Sequence, residues 1–261
     1  MNYQMLETHR RGSVEHVSLN RPAIRNAFNE EVIRELREWA VATKEVFPAV
    51  RVAVLSGKGK VFSAGADLEW MARTASYSQE DSRRDTAALA DMLEALDTLP
   101  QALIARVQGA AIAGGIGLIS VCDIVVAADT ARFGFAEVKL GIVPAVISPY
   151  VLPKIGVSAA RELFLSGERF SAARARDLGL VHAVVPDAQL DETVDHYVRE
   201  LLESGPEAVA AAKVLIRSVS GRPPAQVVDR TIDILTARRA SAEGQAGIRA
   251  FLDKRRPPWV E

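Results

Sequence analysis

The stretch FSAGADL, Phe62–Leu68, and its later counterpart GAAIAGGIGLISVCD, Gly109–Asp123, decide how this chain is read. Each follows an apolar run of β type, and each opens toward a helix. Small residues stand where a backbone must come very close to something. Two such turns can aim two free backbone N–H groups at one oxygen atom, the physical recipe for an oxyanion hole. Other readings of the same residues fare worse. Ser63, two residues before Gly65, partly matches the nucleophile elbow G-x-S-x-G, but Val61 stands where the first glycine belongs, which argues against a serine hydrolase. The second stretch follows a strand and has Asp129 downstream, as a dinucleotide fingerprint would. There Gly115 and Gly117 are followed by Ser120 rather than a third glycine, and the strand expected at Asp123–Ala128 leaves too short a helix, so that reading is rejected.

Composition bounds the rest. A chain of 261 residues allows one large domain, or one domain with a helical appendage, and a sizeable core. Hydrophobic residues at 49% and charged residues at 25% are those of an ordinary globular enzyme, and a net charge of -1 gives no basic surface for nucleic acid or membrane. The one cysteine, Cys122, has no partner for an internal disulfide and fits a reducing compartment. MNYQMLETHRRG carries no apolar signal core, and no apolar run reaches the roughly 18 residues of a membrane span. A cytoplasmic protein is expected. The four histidines, His9, His16, His182 and His196, show no metal-ligand spacing, so no metal is expected.

Periodicity gives the organisation. Val14–Leu19, Arg51–Ser56, Ala102–Val107, Asp123–Ala128 and Leu180–Val185 read as strands. Glu30–Phe47, behind the N-cap Asn29, reads as a helix with Val32, Ile33, Leu36, Trp39, Ala40 and Phe47 inward and Thr43 as a polar break. Asp81–Leu99 reads as a helix with Ala87, Leu89, Met92, Leu93 and Leu96 inward, ended by Pro100. Beyond Pro149 the pattern is mostly helical, closing with helices at Pro206–Val219, Ala225–Ala240 and Ser241–Arg255. An α/β core over 1–200 followed by a helical region over 201–261 is the expected domain organisation, with no clear sequence repeat.

The two paired turns, the opening LNRPAIRNAF (Leu19–Phe28) and the tail GIRAFLDKRRPPW (Gly247–Trp259) resemble the enoyl-CoA hydratase/isomerase (crotonase) family, over nearly the whole chain. The resemblance implies a spiral of ββα units with a C-terminal helical trimerisation region. It implies an acyl-CoA thioester as substrate, coenzyme A as part of that substrate with no separate cofactor, and a homotrimer or a hexamer built as a dimer of trimers. By resemblance, Ala66 and Gly114 donate their N–H groups to the thioester oxygen, and Gly114 opens a helix, where orphan N–H groups favour negative charge. Ala64, Gly65, Asp67 and Leu68 line the adenine pocket. Arg25 lies near the phosphates, and Phe251 and Lys254 reach the nucleotide of a neighbouring subunit.

The third motif, FGFAEVKLGIVPAV (Phe133–Val146), holds Glu137 among apolar neighbours. A partly buried carboxylate has its pKa pushed upward, which suits a group that must accept and return a proton. The resemblance makes Glu137 the acid/base residue. Hydratases of this family carry a second glutamate at the position of Gly117, twenty residues before Glu137. Here the two-carboxylate mechanism is not available in its usual form. AVISPYVLPKIG, Ala145–Gly156, resembles methylglutaconyl-CoA hydratase-like members. Hydration of an α,β-unsaturated, methylglutaconyl-like acyl-CoA through an enolate is expected. The alternatives are double-bond isomerisation by Glu137 alone, and acyl-CoA binding without catalysis.

Overall fold

A computed structural model describes residues 3–260; Met1, Asn2 and Glu261, the outer ends of the two expected regions, lie outside the described residues. The strands are β1 (Leu6–Arg11), β2 (Val14–Leu19), β3 (Val52–Gly57), β4 (Ala102–Val107), β5 (Ala110–Ile112), β6 (Ile124–Ala128), β7 (Arg132–Gly134), β8 (Arg169–Ser171) and β9 (Ala183–Val185). They form a six-stranded sheet in the order β1-β2-β3-β4-β6-β9, parallel apart from the β1–β2 hairpin, and a three-stranded sheet in the order β5-β7-β8.

One structural motif recurs: a strand of the large sheet, a corner, a short extended segment in the second layer, then a helix or turn. β2 leads to Phe28 and helix α1 (Glu30–Glu45), and β3 leads to Ser63–Ala66 and α2 (Leu68–Thr74). α3 (Gln79–Asp97) then returns the chain to β4, which leads through β5 to α4 (Gly114–Ser120). β6 leads through β7 to a 3-10 turn, Glu137–Leu140. The pairs Phe28–Ala66 and Ser63–Ala111 extend the second sheet across the first two units. The spiral of ββα units is therefore present without a sequence repeat, because each corner uses different residues.

Strands buried on both faces read as continuous apolar runs. In β3, Ala53 and Leu55 face the large core under the second sheet, while Val52 and Val54 face α7 (Leu190–Glu203), after α5 (Ser148–Ser166) and α6 (Ala172–Asp177) have completed the α/β part. α1 starts where Asn29 Oδ1 accepts from the Val32 amide at 3.2 Å, and it buries Val32, Ile33, Leu36, Trp39 and Ala40 as expected, ending at Glu45. Thr43 is no break: it is buried, and its carbonyl accepts from Gln101 Nε2 at 2.5 Å. In α3, Met92, Leu93 and Leu96 are buried, but Ala87 faces solvent. The inward stripe runs through 89, 92, 93 and 96, and 87 lies about 200° round the helix from 89.

α8 (Pro206–Val219), α9 (Pro224–Ala240) and α10 (Ala242–Leu252) match the three closing helices. The expected boundary at 200 falls inside α7. Lys213 ties α8 to the core, donating to Asp123 Oδ2 at 2.6 Å and to the Gln101 carbonyl at 2.8 Å. Arg51 spans to the Leu202, Ser204 and Trp259 carbonyls at 2.6–2.8 Å. Among the described residues no helix is long and apolar enough to cross a membrane.

Candidate active site

The second sheet gathers the candidate groups at one end. Ser63 donates its amide to the Ala110 carbonyl (3.0 Å) and accepts from the Ile112 amide (3.1 Å); Ala113 donates to the Gly134 carbonyl (2.9 Å). These neighbouring segments run parallel. The residues that follow them, Ala66, Gly114 and Glu137, therefore leave the sheet from the same end.

Backbone geometry frees two donors. Around Ala66, the Gly65 carbonyl accepts from Phe28 (2.9 Å) and the Asp67 amide donates to the Phe28 carbonyl (3.0 Å). The Ala66 N–H between them has no acceptor among the described residues. Gly65 has φ +91°, and a Cβ there would come 3.0 Å from the Ile112 carbonyl, so the close approach requires glycine. At the second turn, Ala113 holds φ +49°, a strained value for a residue with a Cβ. Its carbonyl accepts from Ile116 (2.8 Å) and Gly117 (3.2 Å), which opens α4 and leaves the Gly114 N–H with no acceptor among the described residues. A Cβ on Gly114 would run into the Phe28 ring.

Glu137 begins the 3-10 turn, between half-buried Ala136 and Val138. Its Oε2 is buried and has no hydrogen-bond partner among the described residues. Burial pushes its carboxyl above the ordinary range, against a smaller opposing pull from its own amide. Gly117 is buried in α4, and the space beside it is filled: a Cβ there would run into Ile147 Cγ2. The space that a second glutamate would enter at this position is occupied by the Ile147 side chain.

Arg25, Ala64, Ala66, Asp67 and Leu68 line one groove of about 630 Å³. Ala64 is fixed by donating to the Arg25 carbonyl at 2.9 Å, while the Arg25 side chain is exposed and makes no ion pair among the described residues. Leu68 is 81% exposed at the mouth. The Asp67 carboxylate is engaged within the chain: it caps α2 through the Glu69 (2.8 Å) and Trp70 (3.3 Å) amides and pairs with Arg21 at 2.8 Å. Burial alone would raise its pKa, but those two amides and the Arg21 guanidinium hold it below the ordinary range. Phe251 and Lys254 are expected to serve a neighbouring subunit's nucleotide, not this chain's own groove. They lie in and just after α10, which packs on α8 and α9, and neither lines the groove. A cavity of about 690 Å³ between Ile112, Lys139 and Arg169 holds none of the expected residues, so its size does not make it the site.

Sequence reasoning missed the residues that hold these turns. Asn26, buried at φ +53°, donates to the Lys58 and Val61 carbonyls (2.8 and 2.7 Å) and accepts from the Arg21 amide. Ser63 Oγ donates to the Asn26 carbonyl (3.0 Å) and accepts from the Gly65 amide (3.2 Å), which gives this serine a structural task. A buried asparagine in RNAF was the available signal.

Comparison with known proteins gives the family. A family model described as enoyl-CoA hydratase/isomerase matches residues 9–261. A putative enoyl-CoA hydratase of Thermus thermophilus is 34% identical over 95% of this chain and 97% of its own length. The 2,3-dehydroadipyl-CoA hydratase of Escherichia coli is 33% identical over 93% of each chain. The crystal structure of an enoyl-CoA hydratase from Shewanella pealeana superimposes with a TM-score of 0.94 at 38% identity, covering 98% of this chain and 96% of that one. From its two free amides to its C-terminal helices, this chain belongs to the enoyl-CoA hydratase/isomerase family.

Proposed function

We propose that this chain is an enoyl-CoA hydratase that adds water across an α,β-unsaturated acyl-CoA. The observation that carries the reading is the buried, partnerless Oε2 of Glu137 at the same sheet end as the partnerless amides of Ala66 and Gly114. The thioester oxygen accepts from both amides, each worth about 3 kcal/mol of barrier by the scale of other oxyanion holes. Glu137 takes a proton from water as its oxygen bonds to the β-carbon. The electron pair of the double bond moves to the thioester as an enolate, and Glu137 returns the proton to the α-carbon. One water is consumed and the carboxylate is regenerated. The chemistry needs no metal and no cofactor beyond the coenzyme A of the substrate.

The nucleotide would follow the Ala64–Leu68 backbone, with Arg25 at the phosphates. Phe251 and Lys254 would reach it from a neighbouring copy in a homotrimer, with trimers pairing into a hexamer. A methylglutaconyl-like, branched acyl group is the substrate class we favour, on the likeness of Ala145–Gly156 to such hydratases. Isomerisation is the second reading, favoured by Gly117, which leaves Glu137 without a second carboxylate to hold the water. Incubation with crotonyl-, 3-hexenoyl- and 3-methylglutaconyl-CoA separates the outcomes by product mass. Gain of water supports hydration; a conjugated product of unchanged mass supports isomerisation. Binding with no turnover of any of the three points to a non-catalytic acyl-CoA-binding protein.

A further inference from the structure

Glu137 opens a segment that closes at Ile147, and the two ends are held differently. At the start, the Glu137 carbonyl accepts from Ile142 at 3.2 Å, and Gly141 turns the chain at φ +76°. The middle points outward: Leu140, Ile142 and Val143 are 61, 53 and 67% exposed. Inward contact comes from Pro144, half-buried Val146 and above all Ile147, which is 3% exposed. Ile147 occupies the notch that Gly117 leaves by having no side chain. A Cβ on Gly117 would run into Ile147 Cγ2, lie 3.2 Å from its Cβ, and lie 3.9 Å from Leu93 Cδ2.

We propose that Ile147, seated in the Gly117 notch of α4, is a positioning residue that sets the depth of Glu137 in the site. This rests on Glu137 being the proton carrier. α4 is the helix that Gly114 opens, so the knob and its notch tie the acid/base segment to the same element as one oxyanion donor. Interiors are packed densely enough that one added methyl must displace a neighbour. An added methyl at 117 meets Ile147 first, and because Ile147 closes the segment that starts at Glu137, its displacement is expected to lift that segment. A lifted segment admits water to Oε2 and removes the burial that raises its pKa.

The test compares wild type, Gly117→Ala, Ile147→Ala, the double variant and Ile147→Val, on whichever of the three acyl-CoA esters is turned over fastest. Gly117→Ala should lower kcat on the order of a hundredfold, the scale of a misplaced reacting group, with KM little changed. The acid limb of its kcat profile should move to lower pH, because a hydrated Glu137 ionises more easily. Ile147→Ala removes the clashing methyl, so the double variant should recover at least about tenfold over Gly117→Ala. Ile147→Val keeps a methyl for the notch and should keep the wild-type limb.

Folded Gly117→Ala with wild-type kcat and pH profile overturns the proposal, as do single effects that simply multiply in the double variant. If Gly117→Ala does not fold, Ile147→Val and Ile147→Ala decide. A limb moved by Ala and kept by Val supports positioning, and any other pattern overturns it. Failure of the underlying reading looks different: Glu137→Gln alone would then retain activity.

Discussion

α4 and the three C-terminal helices treat their apolar residues in opposite ways. α4 has seven residues, no side-chain cap, and every residue from Gly115 to Ser120 buried. Its glycines are each met by a neighbour: Phe28 at 114, Ser63 at 115 and Ile147 at 117. The longer helices α8–α10 leave Ile216 62%, Ile232 56%, Leu235 53%, Phe251 84% and Leu252 71% exposed. Among the described residues they bury only Lys213, Val227 and Ala250. At α4 the glycines are packed against neighbours from the same chain. The C-terminal helices present an apolar surface that one chain does not cover, and such patches mark association.

The largest effect expected from breaking this contrast is chemical. Glu137→Gln keeps the shape of the site and removes its proton carrier, so hydration should fall on the order of a thousandfold, read as water added by mass. Full activity would end both the hydratase and the isomerase readings.

The next effect isolates a donor. Gly114→Pro removes the N–H but also meets Phe28, so it must be compared with Gly114→Ala, which meets Phe28 and keeps the N–H. The proline variant should be slower than the alanine variant by about a hundredfold. Equal rates would assign the loss to packing and remove Gly114 from the oxyanion hole.

The other side of the contrast is tested by assembly. Light scattering at micromolar concentration should give a trimer or hexamer mass, and Ile232→Glu with Leu235→Glu should reduce it to the monomer. A monomeric wild type would mean that these helices tolerate their exposed apolar face.

Anchoring of the helices is a smaller matter of stability. Lys213→Ala removes the bonds to Asp123 and Gln101 and should destabilise the fold by about 2 kcal/mol in denaturant unfolding, the scale of charged hydrogen bonds. No change would place the hold on α8 elsewhere.

The smallest effect is the pH dependence that Glu137 gives to stability. Burial raises its folded-state pKa, so its favourable contribution is complete below the unfolded value and is lost as pH rises through the folded one. Glu137→Gln is neutral throughout. The Tm of the variant should therefore gain on wild type from acid to neutral pH. A constant gap would show that this carboxylate is not desolvated.

By itself the sequence determined the long elements and, through its motifs, the family. Strands buried on both faces are unbroken apolar runs, and a helix such as α1 repeats its apolar face over enough turns to be counted. Glu137, Ala66 and Gly114 are candidates through the resemblance of their motifs to the enoyl-CoA hydratase/isomerase family. The tertiary structure alone decided the rest. β5, β7 and β8 have three residues each, too few to show a period, and they are strands because neighbours from distant parts of the chain pair with them. That the Asp67 carboxylate caps α2 was decided by Arg21 and two amides within its reach. The space at Gly117 was closed by Ile147, thirty residues on. Sequence shows which side chain is missing; only packing shows what fills its place.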